Sequence, residues 1–155
     1  MPTFRPNAAV IISDGNGRVL LCERADMSGF VQVVQGGIDE GETAEQAARR
    51  EVWEEIGLTD DQFEFIGSLP EPLRYTWPQE VREKFWKNKP ELQDNIGQEQ
   101  SFFLARVAPE TRFILDAHHQ EFSSVKWGTP QELIDGAWEY KREVLKLALK
   151  GFGLL

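Results

Sequence analysis

A mixed α/β fold, one sheet with helices on both sides, is what this sequence predicts, and three observations carry that prediction. Short apolar runs bounded by turn residues recur along the chain. One strongly capped helix follows the first strands, and an amphipathic helix closes the chain. The order of strands, helix, strands and terminal helix, free of repeats or low-complexity tracts, suits a sheet covered on both faces. At 155 residues, 41% apolar and 28% charged, the chain is expected to form a single domain, residues 1–155, with a core of its own.

The first strand is expected over residues 7–13, where Ala8 to Ile12 form a continuous apolar run. Asp14-Gly15-Asn16-Gly17 is turn chemistry. Residues 18–23 are then the returning strand of a hairpin. A third strand is expected from Phe30 to Val34, leading into Gln35-Gly36-Gly37. Thr43 and Gln46 make a capping box for a helix from Ala44 to Ile56, which avoids glycine and proline and stops at Gly57. Residues 63–67 and 73–76 read as extended. The charge-mixed stretch 78–97 reads as a surface loop or a partly helical insertion. Strands are expected over 101–107 and 122–127. Thr129 to Glu132 is a second capping box with Pro130 at the first helical position, and Gly136 interrupts that helix. The helix resumes over 139–150, with Val144, Leu145, Ala148 and Leu149 spaced to dock on the sheet.

Composition excludes more than it selects. A formal net charge of −9 argues against a sequence-independent nucleic-acid coat protein, and no DNA partner is expected. The single Cys22 can form no internal disulfide, which suits a reducing cytoplasm. The residues after Met1 show no basic region followed by an apolar run, so no leader is expected. No stretch nears the ~18 apolar residues of a membrane helix. Oligomeric state is not legible.

The acids are unevenly placed. Between Gly36 and Leu58 stand seven acids and two bases. On the 44–56 helix, Glu51, Glu54 and Glu55 lie at i, i+3 and i+4 and share one arc. Like charges at this spacing repel, and lysines do not intersperse them. Clustered carboxylates suit hard divalent cations such as Mg²⁺ or Mn²⁺, and Gly36-Gly37 lets backbone approach a ligand. From the triad alone, a solvated helix face is the competing account.

Taken together, Gly36, Glu42, Arg50, Glu51, Val52, Glu54, Glu55, Gly57 and Leu58 match G-x5-E-x7-R-E-U-x-E-E-x-G-U without a gap, U being aliphatic. Seven fixed residues, each near 7% abundance, coincide by chance in roughly one window in a hundred million, which sets aside a plain amphipathic helix. The chain resembles the Nudix hydrolases, with residues 36–58 as a complete Nudix box. That resemblance implies an α/β/α sandwich around a mixed sheet, and hydrolysis of a diphosphate linkage in a nucleotide with more than one Mg²⁺ or Mn²⁺ ion. It implies Glu51, Glu54 and Glu55 as metal carboxylates, joined by a backbone carbonyl of Gln35 or Gly36. Glu51 or Glu54 would take the proton of the attacking water. Arg50 would orient a carboxylate, since it can reach Glu54, and Glu42 would fasten the loop to the helix.

Outside the box, Arg5-Pro6-Asn7, Leu73-Arg74-Tyr75, Gly97-Gln98-x-Gln100, Glu121-Phe122 and Tyr140-Lys141-Arg142 are similar to bacterial RNA pyrophosphohydrolases, kin of the dinucleoside tetraphosphate hydrolases. This branch implies Glu121 as a further metal ligand, Arg5 and Tyr75 near phosphates, and Tyr140 and Lys141 near a base. Each has a plainer reading: a solvated cation for Arg5, packing for the tyrosines, surface charge for Lys141 and Glu121. His118-His119 reads as loop rather than as a metal pair. Two departures stand out. Glu99 takes the place of a usual lysine, reversing a charge where phosphate should lie, and Val31-Gln32-Val33-Val34 replaces the usual entry to the box.

The expected activity is therefore hydrolysis of a pyrophosphate bond, in 5′-triphosphate RNA ends or in dinucleoside polyphosphates such as diadenosine tetraphosphate. A house-cleaning hydrolase of another nucleoside diphosphate derivative is the alternative within the class. A non-catalytic nucleotide-binding Nudix regulator is the alternative outside it, and three crowded carboxylates speak against that.

Overall fold

The protein is described by a computed structural model covering residues 2–155. Strand β1 (Thr3–Ser13) is the spine of a mixed sheet. It runs parallel to β7 (Asn95–Arg106) along its whole length, from Thr3 opposite Asn95 to Ser13 opposite Arg106. Its other edge is shared. Asn7 to Val10 pair antiparallel with β4 (Val34–Gly37), while Ser13 pairs with Val19 at the head of β2 (Val19–Arg24).

The expected hairpin thus closes only at its mouth. Beyond it β2 diverges to pair with β3 (Val31–Gln32) and β8 (Phe122–Gly128). The single strand expected over 30–34 is two strands for the same reason: β3 belongs to β2, β4 belongs to β1, and the chain crosses between them at Val33. Strands β5 (Glu64–Ser68) and β6 (Leu73–Thr76) both lie antiparallel to β7.

The apolar run of β1 is continuous because both of its faces are covered. Ala8, Val10 and Ile12 pack into one core with Ala47, Ala48, Val52 and Ile56 of α1 (Ala44–Ile56). Ala9 and Ile11 pack into the other, with Leu133 and Ile134 of α3 (Pro130–Gly136) and Val144, Leu145, Ala148 and Leu149 of α4 (Glu139–Gly151). The α4 positions are those its spacing predicts, and the break after Gly136 is present.

The 78–97 segment is more ordered than its charge mixture suggests. It holds α2 (Gln79–Asn88), a 3-10 turn Pro90–Leu92, and the first residues of β7, which begins six residues before the expected strand. No α2 residue is fully buried. The helix is held through half-buried Val81 and Phe85, the latter 4.4 Å from the ring of buried Trp77. Trp86 packs inward as well and donates its indole N–H to the Asn95 carbonyl at 2.8 Å.

Candidate active site

Helix α1 carries the acidic cluster, and its start is fixed by the predicted box: Thr43 Oγ1 accepts from the Gln46 N–H at 3.1 Å, and Gln46 Oε1 accepts from the Thr43 N–H at 2.9 Å. Arg50 then ties helix to loop. Its guanidinium grips Glu42 through Nε at 2.8 Å and Nη2 at 2.9 Å, and donates to the Gly37 carbonyl at 2.9 Å and to Glu51 at 2.7 Å. Glu42 also accepts from the Asp39 N–H at 2.9 Å. These bonds hold the Glu42 carboxyl down at about 2, Arg50 being the largest cause. The Arg50 contact with Glu54 is present but long, 3.4 Å, so Arg50 serves Glu42 and Glu51 first.

Glu51 and Glu55 are 8% and 5% exposed, whereas Glu54 is half-exposed. Burial pushes both buried carboxyls above the ordinary carboxylate value, Glu55 most of all, with the Glu51 charge adding to it. The Gln35 N–H donates to Glu55 at 3.2 Å.

Gly36 and Gly37 are glycines because the site fills the space a side chain would need. A Cβ on Gly36 would stand 2.1 Å from the Glu51 carboxyl, and one on Gly37 would stand 2.3 Å from Arg5 Nη2. The strand therefore lies directly against the Glu51 carboxylate and the Arg5 guanidinium. Behind it, buried Gln100 donates to both Asn7 Oδ1 at 3.0 Å and Gln35 Oε1 at 2.8 Å, which fixes Gln35 from the sheet side.

The carboxylates, the glycine strand and Arg5 face a cleft of about 730 Å³. Gln35, Gly36, Glu51, Glu54, Glu55, Glu121, Arg5, Tyr75, Tyr140 and Lys141 all line it; Arg50 stands behind as the clamp. Arg5 lies over the Phe85 ring at 5.4 Å, its pKa lowered by burial. Tyr75 is buried and its hydroxyl accepts from Gln98 Nε2 at 3.1 Å, so packing and cleft exposure are combined in one ring. Gln98 Oε1, also buried in the cleft wall, has no hydrogen-bond partner among the described residues. Lys141 is pulled down to about 8, by burial first and by Arg24 second.

Several lining residues had no mark in the sequence. Arg24 pairs with Asp26 at 2.7 Å and lies over the Trp138 ring at 5.3 Å. Trp138 stacks on Phe30 at 4.9 Å and stands 6.3 Å from the Tyr140 ring, so an aromatic row borders the cleft. Lys84 and Lys89 reach it from α2. Only the abundance of tryptophan hinted at Trp138, and helical spacing from Val81 could have marked the α2 face.

The expectation for Glu99 is corrected. Along β7, Gln98 lines the cleft and Glu99, one residue on, turns away by strand alternation. There it pairs with Arg74 at 2.7 Å, so its charge is matched and lies outside the site. His118 and His119 sit in the loop before β8, as expected, on the rim of a smaller cavity shared with the acids.

Residues 3–148 match the NUDIX domain. The RNA pyrophosphohydrolase of Erythrobacter litoralis (strain HTCC2594) is 39% identical over 153 residues, covering 96% of this chain and 90% of that protein. That of Tolumonas auensis (strain DSM 9187 / NBRC 110442 / TA 4) is 36% identical, covering 98% and 86%. Among solved structures, the E. coli dihydroneopterin triphosphate pyrophosphohydrolase superposes with a TM-score of 0.72 at 22% identity, covering 96% of this chain and 99% of that one. A C. elegans Ap4A hydrolase gives 0.64 at 18%, covering 96% and 95%. With the match running from β1 to the last helix and the box residues clamped as described, the chain belongs to the NUDIX domain family.

Proposed function

We propose that this chain is a divalent-metal-dependent pyrophosphohydrolase that opens a pyrophosphate bond by attack of water at phosphorus, with 5′-triphosphate RNA ends as its first substrate class. The observation that carries the proposal is the cleft itself, which brings an acidic cluster, cations and the rings of Trp138 and Tyr140 into one continuous space. Such a combination suits a polyphosphate joined to a base. The names of relatives at 36% and 39% identity support the RNA end as substrate. Dinucleoside polyphosphates are the second class, supported by the Phe30, Trp138 and Tyr140 row, since a base stacked on such rings gains ~1–3 kcal/mol whichever substrate carries it.

The residues fit a hard divalent cation. The donor set is all oxygen, and Glu55 is buried with a charge that one backbone N–H does not neutralise. Among the described residues, no three His, Cys, Asp or Glu side chains are close enough to chelate an ion unaided. The proposed shell therefore draws on Glu51, Glu54, Glu55 and Glu121, on the carbonyl of Gln35 or Gly36, and on phosphate oxygens, for more than one ion. When bound, Mg²⁺ or Mn²⁺ supplies charge neutralisation and acidifies a water.

The remaining roles fall to the chain. Arg50 holds Glu51 in place at 2.7 Å. Glu54, half-exposed and only loosely held, is better placed than Glu51 to accept the water's proton. Arg5 takes phosphate charge, Tyr75 shapes the phosphate channel, and Tyr140 and Lys141 receive the base, the latter lying 5.3 Å over the Trp138 ring. The unpartnered Gln98 acceptor supplies one further contact.

Product analysis in Mg²⁺ tests this, with a short 5′-triphosphate RNA and diadenosine tetraphosphate as substrates. RNA should lose pyrophosphate faster, and Glu54→Gln should lose orders of magnitude in rate while keeping its fold. Equal activity in Glu54→Gln would remove Glu54 from the chemistry. Faster cleavage of the dinucleotide would reverse the substrate order.

A further inference from the structure

Trp53 follows Val52 on α1, between Glu51 and Glu54 in sequence, yet it is 47% exposed and belongs to neither core. Its ring meets the His118 imidazole, with centroids 4.0 Å apart. His118 lies in the segment 108–121 that joins β7 to β8. The same segment touches α1 at a second place: the Ile114 N–H donates to the Ile56 carbonyl at 3.0 Å, and Ile114 sits so close to Gly57 that a Cβ there would stand 2.6 Å from its own. At its far end the Glu121 carbonyl accepts from the Ala25 N–H at 2.9 Å. Between these attachments, His118, His119 and Glu121 wall a cavity of about 310 Å³ with Glu51, Glu54 and Glu55.

We propose that Trp53 and His118 are positioning residues whose contact docks the 116–121 end of this segment on α1 and so holds Glu121 against the three glutamates of that helix. The proposal rests on the reading of Glu121 as a metal ligand. Like charges repel, so a fourth carboxylate does not settle beside three others without contacts that hold its segment there. Phe113 and Leu115 pack against the core and hold the first half of the segment, whereas residues 116–120 are all exposed, so burial does little to hold the stretch that leads to Glu121. The helix arc carrying Glu51, Glu54 and Glu55 therefore has a neighbour in Trp53 that places a fourth carboxylate from outside the box.

Two readouts test this. Hydrogen exchange at the Ala25 amide, which donates to the Glu121 carbonyl, should speed up in metal-free Trp53→Ala and His118→Ala and stay slow in Trp53→Phe. Mn²⁺ affinity, followed by electron paramagnetic resonance, should weaken on the order of tenfold in Trp53→Ala, as for other groups that orient ligands. It should weaken no further when Trp53→Ala is added to Glu121→Gln. Unchanged Ala25 exchange in both alanine variants overturns the docking. An equal Mn²⁺ loss with and without Glu121 overturns the coupling. Should Glu121→Gln alone bind Mn²⁺ as the unaltered protein does, the ligand reading of Glu121 fails and takes the proposal with it, whatever Ala25 exchange shows.

Discussion

Consecutive glycines in the site do different work, and single substitutions separate them. Gly36→Ala drives a methyl into the Glu51 carboxyl, 2.1 Å away, while Gly37→Ala drives one into Arg5 at 2.3 Å. Both intruded groups are ends of long side chains, so the backbone survives and the side chain yields. Displacing Glu51 by about 1 Å should lower kcat on the order of 100-fold. If Arg5 holds phosphate equally in the ground and transition states, displacing it should act on KM instead. Steady-state kinetics on the two variants checks the split. The buried carboxyls also set a pH dependence. Glu55 has its pKa raised in the folded protein, so its contribution to stability is full below the unfolded carboxylate value and fades as pH rises through the folded one. Glu42 runs the other way: lowered to about 2, it stabilises fully above ordinary carboxylate pH and loses that as pH falls toward 2. Glu55→Gln should therefore stabilise the metal-free protein above the ordinary carboxylate range, by about 1 kcal/mol, and flatten the fall of its stability as pH rises. Denaturant midpoints in chelator across pH would show it, and a destabilised Glu55→Gln would contradict it.

Among the elements, α1 was readable because its cap, its glycine stop and its acids are all local in sequence. The split of β3 from β4 was not, since nothing in Val31-Gln32-Val33-Val34 tells which neighbour each residue will pair with. Helix α2 sat between: its apolar residues 81 and 85 are one turn apart, but no residue is buried, so composition reads as loop. The site repeats this pattern. Every cleft residue within the box was visible, and those outside it were visible where short motifs were kept. Arg24 and Trp138 were invisible because only the fold brings the ends of β2 and α3 together. Helix α2 itself carries a prediction. Lys84 and Lys89 face the cleft, Lys89 above the same Phe85 ring that Arg5 covers. If they neutralise RNA phosphates, the double variant Lys84→Glu, Lys89→Glu should raise KM for a 5′-triphosphate RNA. It should also reduce the slope of log KM against log salt by about one for each phosphate left without its lysine. An unchanged slope would place the RNA elsewhere.

For the whole molecule, a chain of net charge −9 that concentrates acids at its site spends folding stability on function. Arg50 neutralises part of the cluster, holding Glu42 and Glu51, but Glu55 stays buried at raised pKa and Glu121 faces it across the small cavity. Cation binding is the remaining compensation, and it has a thermodynamic signature independent of turnover. A ligand bound only by the folded state at 100 times its Kd stabilises by about 2.7 kcal/mol. For a domain of this size each kcal/mol moves Tm by roughly 2–4 °C. Saturating Mg²⁺ or Mn²⁺ should therefore raise Tm by about 5–10 °C, and chelator should reverse the rise. Glu55→Gln should start from a higher metal-free Tm and gain less, so the two melting curves converge as metal is added. Ca²⁺ and the Trp53→Ala variant extend the same measurement, the first asking whether any hard cation suffices, the second whether the docked segment adds to the affinity. A Tm indifferent to Mg²⁺ and Mn²⁺ in the unaltered protein would mean that the carboxylates bind metal only together with substrate phosphate, and the ordering of metal and nucleotide would then have to be read from titrations in the presence of a non-hydrolysable triphosphate.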